Sequence, residues 1–203
     1  MNPYRLALVA TASAALAACA APAPLSALAL NAKANQAYFA GRYAEALEGF
    51  ESARTSAKST GDSQYEAIAT FGMARANVQL CQFNAASNLF KDSIRLRSSL
   101  PDTQFAKATQ NLVEYARFLL SVKRPQEALP LMERAIPDLE ASGIATTDPI
   151  AYAEFYDDYA AALRGAGRDT SSAVTRAAKL RLDNPGKAAS FKPTPFPSGC
   201  KVG

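Results

Sequence analysis

Few side chains in this sequence could do chemistry. Histidine is absent from all 203 residues, so Ser-His-Asp and Cys-His arrangements, histidine metal ligands and an imidazole base are excluded. Ser198 and Lys201 have a Ser-x-x-Lys spacing, but they lie in a proline-rich segment that would not preorganise a catalytic pair. Glu154, Asp157 and Asp158 lie on neighbouring helical turns, a spacing more typical of a solvated face than of an acid pair or cation site. We expect no catalytic residue, no metal site and no cofactor.

The distribution of charge excludes two further classes of partner. The formal net charge is +4 and the sequence pI is about 9.0, but lysines and arginines alternate with acidic residues instead of forming a basic stripe. Nucleic-acid binding is therefore not expected. No glycine-rich loop is followed by a phosphate-binding lysine, and Gly165-Ala166-Gly167 is better explained as a break between helices. We expect no nucleotide to bind.

The N-terminal segment has the pattern of an export signal. Arg5 precedes an apolar stretch from Leu6 to Ala18 that is too short to span a bilayer, so residues 1–18 are predicted to be a signal peptide. Residues 16–19, Leu-Ala-Ala-Cys, resemble the lipobox of bacterial lipoproteins. The resemblance implies that Cys19 is acylated with more than one chain, which suffices for stable anchoring, that Ala20 directs the protein to the outer membrane, and that residues 19–25 form a tether.

Two alternatives for the cysteines stay open at this point. Residues 18–20, Ala-Cys-Ala, also satisfy the small-x-small rule of an ordinary cleavage site, which would give a soluble periplasmic protein. The two other thiols, Cys81 and Cys200, would lie in a compartment where disulfides persist. They would either pair with each other, or Cys81, at a predicted helix end, would be a small buried residue.

An internal repeat is the most informative pattern in the chain. Gly41-Arg42-Tyr43 is followed by Ala46, Phe50 and Ala53, and the pattern recurs three times with slow drift. Each copy is preceded by another helical segment, which predicts four antiparallel helix pairs. The preceding segments are 30–40, 65–80, 105–122 and 150–164. The predicted small residues at the helix crossings are Ala34, Ala74, Ala116 and Ala160 in the first helices, and Ala46, Ala86, Ala128 and Ala173 in the second.

Local signals mark the boundaries of these helices. Thr60-Gly61 makes a break, and Asp148-Pro149 supplies an N-cap followed by proline at the first helical position. Ser63 and Glu66 have the spacing of a capping box, which predicts that Ser63 caps its helix.

Across residues 26–183 the pattern resembles the tetratricopeptide repeat family, with a period of about 40–44 residues in place of the usual 34. The resemblance implies an all-α solenoid whose stacked first helices line a groove that binds an extended segment or a helix of another protein. A HEAT-like array of similar period is the structural alternative. Carrying the family register over residue by residue places eight residues on the groove: Asn31, Asn35, Tyr38, Arg75, Gln79, Gln110, Glu114 and Arg117.

Arg75 and Arg117 occupy equivalent positions in successive repeats. Two guanidinium groups one repeat apart could hold a carboxylate or an acidic segment of a partner through charge-assisted hydrogen bonds. The alternative is that both are ordinary exposed helix residues. The last segment, 184–203, is rich in proline and poor in core-forming residues, so we expect a flexible tail. Its alternative role is to bind a partner.

These features predict a non-enzymatic scaffold or adaptor, anchored in the outer membrane by its lipid and facing the periplasm. Its partner would be another envelope protein or an extended peptide segment. The alternatives are a soluble periplasmic chaperone or carrier and, third, a regulatory subunit of an envelope enzyme.

Overall fold

The computed structural model describes residues 25–100, 105–190, 195–197, 199 and 200, with the side chains of 105–107 left aside. The predicted signal peptide at 1–18, Cys19, the tether up to residue 24, and Ser198 and Lys201 lie outside these residues. No helix in the described part of the chain is long and apolar enough to cross a membrane.

The described residues form helices connected by short turns, without strands. Four helix pairs follow one another, as predicted, and a one-turn helix, α7, precedes the last pair. The helices are α1 Ala27–Phe39, α2 Tyr43–Ser59, α3 Ser63–Gln79, α4 Phe83–Ser98, α5 Phe105–Ser121, α6 Pro125–Ala141, α7 Ile144–Thr147, α8 Pro149–Gly165 and α9 Ser171–Leu182. The chain is therefore an α-solenoid of the tetratricopeptide type, as the sequence predicted.

The turn inside each pair has the same backbone geometry. One residue of the turn is left-handed, with φ between 59° and 76°, and these residues recur at intervals of 40, 42 and 44: Gly41, Cys81, Lys123 and Gly167. The following residue donates its N–H to a carbonyl five residues back, as Arg42 does to Ala37 at 2.9 Å and Arg124 to Leu119 at 2.8 Å. This is the Schellman ending, which satisfies the last carbonyls of the first helix and reverses the chain.

Small residues set how closely the helices approach. All eight predicted alanines at the crossings are buried, and none is more than 4% exposed. Gly49 and Gly72 allow further close contacts, because a Cβ atom at Gly49 would lie 2.9 Å from Ala34 Cβ and one at Gly72 would lie 2.4 Å from the ring of Phe50. Phe50 fills the resulting groove, in line with ridges-into-grooves packing.

The structure corrects one predicted cap and confirms another. Helix α3 begins at Ser63, and its cap is Asp62, whose Oδ1 accepts a 3.0 Å hydrogen bond from the Tyr65 N–H. Ser63 is therefore the first helical residue, because aspartate one position earlier already satisfies the free N–H group. Asp148 caps α8 as predicted, accepting from Ala151 N at 3.1 Å.

Candidate partner-binding surface

The first helices of the four pairs, α1, α3, α5 and α8, together form one face, here called the inner surface. A row of interacting side chains crosses it. The Arg75 guanidinium on α3 lies 4.3 Å from the centroid of the Tyr38 ring on α1, a cation–π distance. Arg117 on α5 donates a 2.6 Å hydrogen bond from Nε to Oδ2 of Asp158 on α8. Glu114 on α5 lies within the electrostatic reach of both arginines.

This row follows the repeat. Arg75 and Arg117 each come one residue after the crossing alanine of their helix, whereas Glu114 and Asp158 each come two residues before it. An arginine of one repeat therefore interacts with an acid of the next repeat, once between α3 and α5 and once between α5 and α8. The opposite charges link neighbouring repeats along the inner surface.

Burial changes the acid–base properties of the two carboxyl groups. Glu114 is only 7% exposed, and its burial raises its pKa above the ordinary value, while Arg75 and Arg117 oppose that rise. Burial also raises the pKa of Asp158, against the opposing effect of Arg117. Both changes arise because desolvation penalises the charged form. The arginines are thus already engaged by carboxylates of this chain.

A pocket of about 270 Å³ opens on the inner surface between α5 and α8. Val113, Ile144 and Phe155 give it an apolar wall, whereas Gln110 and Glu114 lie at its polar side. Gln110 is exposed and thus accessible to a partner. A small apolar cavity with a few converging polar groups is typical of a site that receives one side chain of a ligand.

A neighbouring region of the inner surface, between the C-terminal halves of α3 and α5, is covered by the C-terminal tail. The Phe196 ring stacks on Phe83 with 5.3 Å between centroids, and the Gln79 side chain donates a 2.9 Å hydrogen bond to the Pro195 carbonyl. Cys81 and Cys200 form a disulfide, with 5.5 Å between their Cα atoms. Only about 40 Å³ remains beside Phe196, little more than the volume of one water molecule.

A second attachment holds the beginning of the tail. The N–H of Ser190 donates to Asp148 Oδ2 at 3.1 Å, and the Ser190 hydroxyl donates to the same oxygen. Asp148 also lines the open pocket. The described parts of the tail therefore border both regions of the inner surface.

The eight predicted groove residues have different environments. Asn31 is buried, and its carbonyl accepts a 3.0 Å hydrogen bond from Asn35 within α1. Tyr38 is buried beneath Arg75 and Gln79 contacts the tail, so Gln110 is the predicted residue most exposed at a pocket. The residues that sequence reasoning missed are Asp158, Phe83, Phe196 and the apolar pocket wall.

These observations bear on three interpretations that the sequence left open. Arg75 and Arg117 are half-buried and are not ordinary exposed residues. Cys81 is exposed and is not a small buried residue. Asp157 and Asp158 form ion pairs with Arg181 and Arg117, and among the described residues no cluster of three potential metal-ligating groups occurs.

The repeat geometry agrees with comparisons to known proteins. The model of the tetratricopeptide repeat family matches residues 25–99. The later helix pairs keep the same turn and the same crossing alanines, so they continue the tetratricopeptide architecture beyond the matched residues.

A solved structure has a similar fold. It is the crystal structure of BtubC (BKLC) from P. vanneervenii, with a TM-score of 0.70, 20% sequence identity, and coverage of 83% of this chain and 70% of that chain. At this identity the similarity concerns the fold alone. No curated protein matches the sequence significantly.

Proposed function

We propose that the protein is a non-enzymatic binding module that holds an extended segment of another protein on its inner surface. The observation that carries the proposal is the open pocket of about 270 Å³ between α5 and α8, bordered by the charged row. Tetratricopeptide arrays present their stacked helices as interaction platforms, which supports this use of the surface. An apolar wall beside fixed charges would favour a partner segment that carries an apolar side chain next to a charged one.

A crosslinking experiment tests this proposal. A photocrosslinking phenylalanine analogue at Gln110 would face a bound partner, whereas the same analogue at exposed Lys91, on second helix α4, serves as the matched control. We expect one major protein to crosslink to the analogue at Gln110 in cells and not to the analogue at Lys91. The crosslink at Gln110 should be lost when Val113→Glu places a charge in the pocket. Equal crosslinking at both positions would contradict a function of the inner surface.

We further propose that the module is an outer-membrane lipoprotein anchored through Cys19. The lipobox-like residues 16–19 support this, and the six residues from 20 to 25 would extend at most about 20 Å from the anchor. The inner surface would then work close to the membrane, facing the periplasm, without a catalytic step.

Metabolic labelling with a fatty-acid analogue tests the anchor. Label should appear on the wild-type protein in the membrane fraction and disappear with Cys19→Ala. An unlabelled, soluble wild type would replace this proposal with the soluble periplasmic chaperone or carrier that cleavage after Ala20 would give. The proposed binding surface would be unaffected by that outcome.

A further inference from the structure

The tail carries a second, independent observation about what the inner surface binds. Residues 195–197 are non-helical, and Pro195 and Phe196 lie against α3 and α4. The aromatic ring stacks on Phe83 and the Pro195 carbonyl accepts a hydrogen bond from Gln79, so one apolar and one backbone group are recognised together. Grooves recognise extended peptide ligands through this combination of side-chain contact and backbone hydrogen bond.

We propose that the segment Pro195–Pro197 is a tethered internal ligand of the region between α3 and α5, and that this region accepts from a partner protein the same chemistry: an aromatic residue between two prolines. The inference rests on the proposed function, because it names the class of segment that the inner surface binds. The tail and such a partner would exclude each other, since Phe196 leaves only about 40 Å³ in the groove.

The flanking prolines suit this role. Proline has no N–H group and restricts its own φ, so a proline-flanked aromatic residue loses little conformational freedom on binding and leaves few backbone donors unsatisfied. Gln79 supplies the donor that the Pro195 carbonyl requires. A partner segment of the same chemistry would need no rearrangement of Phe83 or Gln79.

The disulfide explains why the tail would compete effectively. Cys200 is four residues after Phe196, and Cys81 is two residues before Phe83, so the ring is held beside its stacking partner. A short tether of this kind gives the Phe196 segment an effective concentration at the groove of about 1 mM or more. Cys81 itself has φ 59° at the turn position that is glycine in the first and fourth pairs and lysine in the third. The disulfide gives Cys81 a role at this turn.

Peptide binding in trans tests the proposal. The probe is a fluorescent peptide with the sequence of residues 191–199, which lacks the cysteine, and its anisotropy is measured with purified oxidised protein. Phe196→Ala vacates the groove but keeps the disulfide, so we expect this variant to bind the peptide at least about tenfold more tightly than wild type. Leu182→Ala, which shortens an exposed side chain at the end of α9, should bind the peptide as weakly as wild type.

Two controls keep the result unambiguous. A peptide with alanine in place of its second phenylalanine, the Phe196 equivalent, should not bind any variant. Wild-type protein reduced by a dithiol should gain peptide binding without any substitution, which covers the case in which Phe196→Ala folds poorly by circular dichroism. Equal binding by wild type, reduced wild type and Phe196→Ala, or binding by none of them, would overturn the proposal. Crosslinking at Gln110 does not depend on the tail, so failure here would leave the proposed function standing.

Discussion

Two regions of the inner surface share Glu114 and Arg117 as a border and are completed differently. Between α3 and α5, Phe196 fills the groove and leaves about 40 Å³, whereas between α5 and α8 a pocket of about 270 Å³ stays open. The covered groove lies at the C-terminal ends of α3 and α5, next to the Cys81 turn, whereas the open pocket lies toward the beginnings of α5 and α8. The two regions therefore differ in their position along the helices as well as in what fills them.

The residues that follow each turn decide what packs on that turn. In the second pair the turn brings Cys81 and Phe83, to which the tail attaches. At the position of Phe83, the third pair has Pro125, which packs directly against α8: a Cβ atom on Gly165 would lie 2.4 Å from Pro125 Cβ. At this turn the next repeat packs where the tail packs at the Cys81 turn.

The largest expected effect comes from releasing the covered region. Cys200→Ser removes a disulfide that spans 119 residues; disulfides typically contribute about 2–4 kcal/mol, and a loop of this length up to about 5 kcal/mol, by restricting the unfolded chain. Denaturant titration of the oxidised protein should show this loss. Wild type reduced by a dithiol should match the variant, and an unchanged midpoint in both would show that the disulfide does not form.

Breaking the shared border should cost less. Arg117→Ala leaves Asp158 and Glu114 without their common cation, and because the Arg117 side chain is only 14% exposed we expect a loss of about 1–3 kcal/mol. The matched control is Arg181→Ala, which removes the exposed pair with Asp157 and should cost less than about 1 kcal/mol. Equal losses of unfolding free energy in urea titrations of the two variants would show that the Arg117–Asp158 pair of the inner surface contributes no more to stability than the exposed Arg181–Asp157 pair.

A change in the third turn sharpens the comparison between repeats. Lys123 has φ 62°, so Lys123→Gly should raise the free energy of unfolding by about 1 kcal/mol by relieving a left-handed residue. Gly41→Ala, at the equivalent position with φ 76°, should lower it by a similar amount. Thermal unfolding of both variants identical to that of wild type would show that the left-handed conformation at these turns carries no energetic cost.

The smallest expected effect is a pH dependence. Because burial raises the pKa of Glu114, the folded state holds that proton more tightly than the unfolded state, and stability falls as pH rises from the ordinary glutamate pKa through the raised one. Glu114→Gln removes this contribution. The stability of the variant relative to wild type should therefore increase with pH across that window and then level off. A difference in unfolding free energy between Glu114→Gln and wild type that does not change with pH would contradict a raised pKa for Glu114.

The sequence predicted the repeat more completely than the site. Crossing alanines and turn residues recur at nearly fixed intervals, and each helix pair is a local unit, so periodicity alone located the pairs. The pairing of Arg117 with Asp158 depends on how two repeats stack, which no single repeat encodes. The acids were visible at helical spacing, but the sequence favoured a solvated face.

The tail was the least predictable element. Its contacts join residues about 119 positions apart and follow no period, and its proline content is equally typical of a flexible terminus. Cys81 occupies the turn position that is glycine in the first and fourth pairs and lysine in the third, so the left-handed backbone does not by itself reveal a role for its sulfur. If Cys19 is acylated, Cys200 is the other cysteine left to pair with Cys81.

One crosslinking measurement tests whether the inner surface is the binding surface and whether the tail covers one of its two regions. The photocrosslinking analogue is placed in turn at Gln110 in the open region, at Ser121 beside the covered groove, and at Lys91 on a second helix, each with and without Phe196→Ala. We expect partner crosslinks at Gln110 in both backgrounds, at Ser121 only when Phe196 is replaced, and at Lys91 in neither. A partner that crosslinks at Lys91, or at Ser121 regardless of Phe196, would contradict it.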